Sequence, residues 1–255
     1  MNYTFKYLGD ADDFRVRGYI FVLGHMRSLS SLLCHILGSN AEVAGYAEMH
    51  LSYHGERDLR RLVRSVGETI GTPVVGKWVL DKVLHNHDEI APEVLDRADV
   101  RILFLLRNPA KALQSILGMT RDLKVANVPN DPVAVLRYYC ERLRYLERLS
   151  LRLNKRAAFI DSDRLITATD VVLERLSEWL GLAERLNPTY RSFKYTGRGG
   201  YGDTSGLIRS GTVVRDSTVA RTDCAVVPIP ATVHAPALEA WSACREILMA
   251  RCEVL

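Results

Sequence analysis

The sequence predicts an α/β fold in which a doubly wound central parallel sheet carries helices on both faces. Three observations predict it. Short apolar runs rich in strand formers recur along the chain, and segments with apolar residues at helical spacing lie between them. The length of 255 residues, with 47% hydrophobic and 25% charged residues, suits one large globular domain with a sizeable core.

The elements follow in order. Residues 19–23 (YIFVL) form a short run closed by Gly24, which is the pattern of a buried parallel strand. A polar turn leads into residues 30–37, where Leu32, Leu33, Ile36 and Leu37 repeat at helical spacing. Val74 and Val75 open a second strand running towards Val79 and Leu80. The clearest strand is residues 100–106 (VRILFLL), which halts at Arg107-Asn108-Pro109 and gives way to a helix from about Lys111. Pro132 opens an amphipathic helix to about Arg152, with Leu136, Tyr139, Leu143, Leu146 and Leu149 on one side. Residues 157–160 make another strand, ended by Asp161. The helix at 171–180 stops at Gly181, a residue suited to a left-handed C-cap. From 187 to 230 the pattern gives way to a long loop carrying Gly197, Gly199, Gly200, Gly202, Gly206 and Gly211, too long for a mere connector. A last helix around 238–252 places Leu238, Trp241, Cys244, Leu248 and Cys252 on one face. No repeat or linker divides the chain, so a single domain over 1–255 is expected.

The net charge of +4 suits a small anionic ligand, and without a Lys/Arg block it gives no support to nucleic acid as a partner. Five scattered cysteines without a CxxC pair indicate neither a disulfide framework nor a zinc site, which fits a cytoplasmic location. Residues 1–18 mix Asp and Arg with aromatics and lack an apolar signal core. No apolar run reaches the roughly 20 residues that would span a bilayer.

The segment Gly24-His-Met-Arg-Ser-Leu-Ser-Ser31 lies between the first strand and the first helix, where backbone N–H groups and the positive helix end favour an anion. Against the pattern GxxxxGK[ST], Gly24 and Ser31 match. Leu29 replaces the second Gly, Ser30 replaces the Lys, and the cation has moved to Arg27. The central strand ends in Arg107 rather than an Asp, so the usual equipment for Mg-nucleotide hydrolysis is missing. The expected architecture is therefore P-loop-like in fold without P-loop chemistry.

Here the chain resembles the sulfotransferases that use 3′-phosphoadenosine 5′-phosphosulfate (PAPS), in particular bacterial members. Their phosphosulfate loop commonly reads Arg or Lys, Ser, Gly, then two hydroxyl residues, and this chain has Arg27-Ser28-Leu29-Ser30-Ser31. The resemblance implies that Arg27 holds the 5′-phosphate and bridging oxygen, with Ser28, Ser30 and Ser31 as further ligands. Leu29 departs from the pattern, at no cost if its φ is negative but with strain in a left-handed turn. Arg107 at a strand end with Ser115 eight residues on resembles the 3′-phosphate motif, which separates PAPS from ATP because ATP has no 3′-phosphate. Residues 201–211 resemble the glycine-containing loop that closes over the adenosine end, with Arg198 and Arg209 as candidates for contact with the 3′-phosphate or the adenine.

Sulfuryl transfer needs positioning, charge neutralisation at the leaving phosphate and a base for the acceptor proton. Gly45-Tyr-Ala-Glu-Met-His50 resembles the Glu-Leu-His segment of bacterial members, among them polyketide-tailoring enzymes. It makes Glu48 the preferred base, with His50 as an alternative. The segment 76–87 offers Lys77 and Lys82 as leaving-group cation, with Lys82 preferred for its Asp81-Lys82 pairing, and His85 as a rival base. His85 and His87, at i and i+2 without a third partner, are weak metal ligands, and no metal is required. The acceptor is expected to be a small molecule with a hydroxyl or amine, such as a secondary metabolite. Its pocket would be built from loops near 45–60, 120–130 and 190–235, with Tyr46, Tyr53, Met119 and Tyr201 as possible lining. The product would be 3′-phosphoadenosine 5′-phosphate. Two rival readings are a P-loop kinase of a small metabolite and a non-catalytic nucleotide-binding protein.

Overall fold

A computed structural model of the chain describes residues 15–122, 131–153, 157–215 and 229–255. The strands are β1 (Gly18–Gly24), β2 (Val43–Ala44), β3 (Trp78–Val83), β4 (Val100–Leu106), β5 (Ala157–Asp161) and β6 (Glu253–Val254). They pair in the order β2-β3-β1-β4-β5-β6, every neighbouring pair parallel. The helices are α1 (Ser30–Ser39), α2 (Glu56–Ile70), α3 (Pro92–Leu95), α4 (Pro109–Asp122), α5 (Pro132–Ser150), α6 (Arg164–Thr167), α7 (Thr169–Leu180) and α8 (Ala231–Arg251).

Strand alternation divides the core in two. Tyr19, Phe21 and Leu23 of β1, with Ile102, Phe104 and Leu106 of β4, pack beneath α2, α3, α4, α5 and α8. Ile20 and Val22, with Leu103 and Leu105, pack beneath α1, α6 and α7. This is the doubly wound, P-loop-like parallel sheet with helices on both faces. From central β1 the chain winds to β3 and β2 on one side and to β4, β5 and β6 on the other. The order reverses beside β1, and in such sheets the crevice beyond the strand carboxyl ends at that point binds ligands.

Several boundaries differ from the expectations. The second strand begins at Trp78, which pairs with Gly18, and Val75 is exposed ahead of it. Helix α2 is absent from the sequence reading, although Leu59, Leu62, Val63 and Val66 form its buried stripe. Helix α8 starts at Ala231 and buries Val233, Ala237, Cys244 and Leu248, whereas Leu238 faces solvent. Local chemistry fixes two ends as expected. The Asp131 carboxylate accepts from the Val133 and Ala134 amides ahead of Pro132, and Gly181 closes α7 at φ 62. Cys34, Cys140, Cys244 and Cys252 are free, and Cys224 lies outside the described residues. Among the described residues no helix is long and apolar enough to cross a membrane.

Candidate active site

The β1–α1 turn is held open by Gly24, where a Cβ would come within 2.8 Å of both the Leu105 carbonyl oxygen and Ser28 Oγ. Arg27 and Leu29 both adopt left-handed backbone, at φ 61 and φ 67. Leu29 is therefore in the conformation where glycine would be free of strain. The turn presents the first amides of α1, ahead of the Leu33–Leu29 bond, towards the carboxyl edge of the sheet. Buried His25 locks it to the neighbouring strand: Nδ1 donates to the Met26 carbonyl at 2.9 Å, and Nε2 accepts from the Arg107 amide at 3.1 Å. Burial lowers the His25 pKa to about 4, consistent with this neutral tautomer.

Arg27 Nε donates to Ser115 Oγ at 2.7 Å, so the turn cation reaches the helix that follows β4. Arg107 Nη1 donates to the Arg27 carbonyl at 3.0 Å, while its buried Nε has no hydrogen-bond partner and faces Asp163 at 4.0 Å. Burial lowers the Arg107 pKa, with Asp163 acting against it and Arg27 adding to it. Arg27, Ser115 and Arg107 thus form one network across the ends of β1 and β4.

Across the cleft, β3 aims Asp81 and Lys82 to opposite faces. Asp81, on the α2 side, accepts from the Met49 and Lys82 amides and from Tyr53 Oη. Burial raises its pKa to about 7 against the pull of these bonds. Lys82, on the α1 side and 1% exposed, donates to Ser31 Oγ at 3.1 Å and faces Glu48 Oε2 at 3.8 Å. Glu48 is buried, and its other oxygen, Oε1, has no hydrogen-bond partner, with His85 Nε2 at 3.7 Å and His50 Nδ1 at 3.8 Å. Burial, reinforced by the charges of His87, Arg142, His50 and Lys82, lowers the His85 pKa to about 4. His50 is left-handed at φ 51, and its Nε2 donates to the Gly200 carbonyl at 3.0 Å. Four residues drawn from two sequence segments, Glu48, His50, Lys82 and His85, therefore meet. Lys77 lies ahead of β3, its backbone bonded to Arg17 and Val74, at the opposite edge of the sheet.

A glycine-rich segment, 197–206, lies over the turn. A Cβ on Gly202 would sit 2.6 Å from Ser31 Oγ and 2.8 Å from Lys82 Nζ. The Asp203 amide donates to Ser31 Oγ at 2.9 Å, and Arg27 Nη1 donates to Asp203 Oδ1 at 2.7 Å. Arg198 stacks over Tyr195 and Arg209 donates to the Gly197 carbonyl, so these contacts stay within residues 195–209. Tyr46 and Tyr53 are buried, against Phe193 and Phe21, as core residues. Tyr201 stacks on Tyr195, and Met119 packs at the edge of the core. Residues 123–130 and 216–228, parts of the expected acceptor loops, lie outside the described residues.

Six buried side-chain nitrogen or oxygen atoms among the described residues lack a partner. Four of them, Ser28 Oγ, Glu48 Oε1, Arg107 Nε and Ser162 Oγ, follow the carboxyl ends of β1, β2, β4 and β5. Buried polar groups are rarely left unpaired, so their gathering at one edge makes that edge the candidate ligand site. The arrangement fits an anion with more than one acidic group. A metal fits less well: ligand atoms of Glu48, His50 and Asp88 lie within 4.8 Å of one another, but the Lys82 ammonium beside Glu48 opposes a cation there. His85 and His87 stack on each other at 5.1 Å.

The sequence reading missed the residues that hold the site in place. Arg142 of α5, fully buried, donates to the carbonyls of Gly24, Val83 and His85 and to Asn86 Oδ1, tying β1 to β3. Tyr138 and Tyr139 bond the Met26 amide and the Arg107 carbonyl. A polar residue on the apolar stripe of α5 was the available signal for Arg142. Asp203 gave none, because its partner Arg27 is 176 positions away.

No protein-family model and no curated protein sequence matches the chain. Solved structures do match. The chain is similar to a sulfotransferase domain from the curacin biosynthetic pathway, at 17% identity and TM-score 0.59, over 88% of this chain and 98% of that one. It is also similar to a sulfotransferase domain from the Synechococcus PCC 7002 olefin synthase, at 15% identity and TM-score 0.58, over 90% of this chain and 94% of that one. The chain has the fold of these domains.

Proposed function

We propose that a chain with this sulfotransferase fold also performs sulfuryl transfer, from PAPS to a hydroxyl or amine of a small-molecule acceptor. One structural relative is named for the curacin biosynthetic pathway, and we propose bacterial secondary metabolism as the setting of this chain. One observation carries the reading: Arg27, Ser115 and Arg107 meet on one flank of the turn after β1, and Glu48, Lys82 and His85 meet on the other, with Ser31 bonded to Lys82.

The residues fit such a donor. Ser28 Oγ and Arg107 Nε are buried without partners, and Gly24 keeps the turn clear of side-chain bulk. Arg27, Ser28, Ser30 and Ser31 with the turn amides would hold the phosphosulfate, the first-turn amides of α1 facing the negative charge. Arg107 and Ser115 would hold the 3′-phosphate, with Arg198 and Arg209 as outer contacts. PAPS supplies the sulfuryl group. Glu48 takes the acceptor proton as the acceptor atom bonds to sulfur and the sulfur–oxygen bond to the 5′-phosphate breaks, its electron pair leaving with the phosphate. Lys82, held by Ser31 and Glu48, neutralises that charge. His85 is a poorer base than an ordinary imidazole, because burial keeps its pKa near 4. His50 is half exposed and committed to Gly200.

The test is isotopic. With sulfur-labelled PAPS and a panel of alcohols, phenols and amines, label should move to an organic product, and Glu48→Gln should slow transfer by about 10²- to 10⁴-fold. Phosphorus transfer from γ-labelled ATP and Mg²⁺ in its place would contradict the reading.

A further inference from the structure

The glycine-rich segment brings a carboxylate into a site whose other features favour an anion. Arg27, Lys82 and Arg107 are cations at the carboxyl edge of the sheet. Arg27 Nη1 bonds Asp203 Oδ1 at 2.7 Å, and both side chains are about four-fifths buried. The carboxylate is itself held in shape. Oδ1 accepts from the Ser205 amide at 3.0 Å and Oδ2 from Ser205 Oγ at 2.8 Å. The backbone beside it closes on the turn: the Asp203 amide bonds Ser31 Oγ, and Gly202, at the left-handed φ of 138, lies so close that a methyl group would strain the backbone and force Ser31 Oγ and Lys82 Nζ to shift. His50, at the other end of the segment, bonds the Gly200 carbonyl. Charge, shape and backbone therefore converge on the residues assigned to the phosphosulfate.

We infer that Asp203 is a built-in stand-in for the donor's anionic group, and that 200–205 is a strap which the donor must displace from Arg27 and Ser31. This rests on the donor reading above and adds a regulatory contact to it. Burial alone would make the Asp203 carboxyl easier to protonate, but Arg27 and the Ser205 bonds outweigh it and hold its pKa below the ordinary range. Asp203 therefore stays ionised near neutral pH, and the contact persists until a competing anion arrives. The strap lowers apparent donor affinity by the fraction of molecules in which it is seated. It also keeps Arg27 and Lys82 covered until an anion able to displace it is present.

Calorimetric titration with 3′-phosphoadenosine 5′-phosphate tests this on the whole chain, using two variants that disable the strap differently. Asp203→Asn removes the charge, and Gly202→Ala blocks seating by bulk while leaving every charge in place. Each should bind the bisphosphate about tenfold more tightly than the wild type. Wild-type binding with affinity unchanged or weaker in every folded variant would overturn the strap and leave the donor reading intact. No binding by wild type or variants would overturn the donor reading and the strap with it.

Discussion

His25, His35 and His85 are each held neutral by burial, with pKa values lowered from 6.5 to about 4. A histidine whose folded pKa is depressed contributes stability that is complete above about pH 6.5 and is lost as the pH falls towards 4. Asp81 acts in the opposite sense. Its pKa is raised from 3.8 to about 7, so the folded chain keeps a proton the unfolded chain would release, and its contribution grows on acidification. Three imidazoles outweigh one carboxyl. Stability should therefore fall between pH 6.5 and 4.5 by roughly 2 kcal/mol per pH unit at the steepest. Urea midpoints measured at pH 7 and pH 5 check this, and a midpoint that holds or rises at pH 5 would contradict it. Much of the candidate site, as a set of residues that meet, is legible residue by residue. Glu48, His50, Lys82, His85, Arg27, Ser31, Arg107 and Ser115 were all named from two kinds of signal, turn chemistry and motif resemblance. Backbone conformation was not legible. Arg27, Leu29 and His50 are the three non-glycine residues with positive φ among those described, and all three border the cleft. Leu29 departs from the expected glycine yet takes the glycine's conformation, at a cost of about 1–2 kcal/mol. Such strain gathers where surrounding contacts over-determine the backbone, which a linear pattern does not encode.

Among the elements, α1 meets the segment that carries Glu48 at close range. Gly38, near its end, passes so close to the 43–48 segment that a Cβ would overlap the Gly45 carbonyl oxygen, backbone against backbone. Gly38→Ala should therefore push α1 from the segment carrying Glu48 and destabilise the chain by about 1–3 kcal/mol. Gly67 in α2 makes the contrast, since the nearest atom to an added Cβ is 3.9 Å away. Gly67→Ala should stabilise by about 0.5–1 kcal/mol through helix propensity. Paired denaturant melts check both signs, and equal effects would contradict the packing argument. Legibility at this scale followed length and period. Strands β1, β4 and β5 and helices α5 and α7 carry sustained patterns and were readable. Strands β2 and β6 have two residues each, too few for any pattern. Helix α2 is polar apart from a four-residue stripe, and the Val74–Val75 pair beside it drew attention to the wrong place.

At the scale of the whole molecule, strand order explains why distant motifs meet. Setting β1 between β3 and β4 puts the turn after β1 beside Lys82 on one flank and Arg107 on the other. Helix α5 then locks the three strand ends together through Tyr138, Tyr139 and Arg142. The sequence implied the alternation of strands and helices, and hence the carboxyl edge as the place for a ligand. It did not imply that Arg27 and Ser115 would touch, because that depends on how α4 leaves β4. The central claim is that Arg107 and Ser115 read a 3′-phosphate while Arg27 and the turn read the 5′ end. The most direct measurement is calorimetric titration of the wild type and Arg107→Ala with 3′-phosphoadenosine 5′-phosphate and with AMP. Losing Arg107 should weaken the bisphosphate by roughly 10- to 100-fold, as expected for hydrogen bonds to a charged group, and AMP by about threefold or less. Equal losses for the two nucleotides, or a wild type that does not distinguish them, would contradict it.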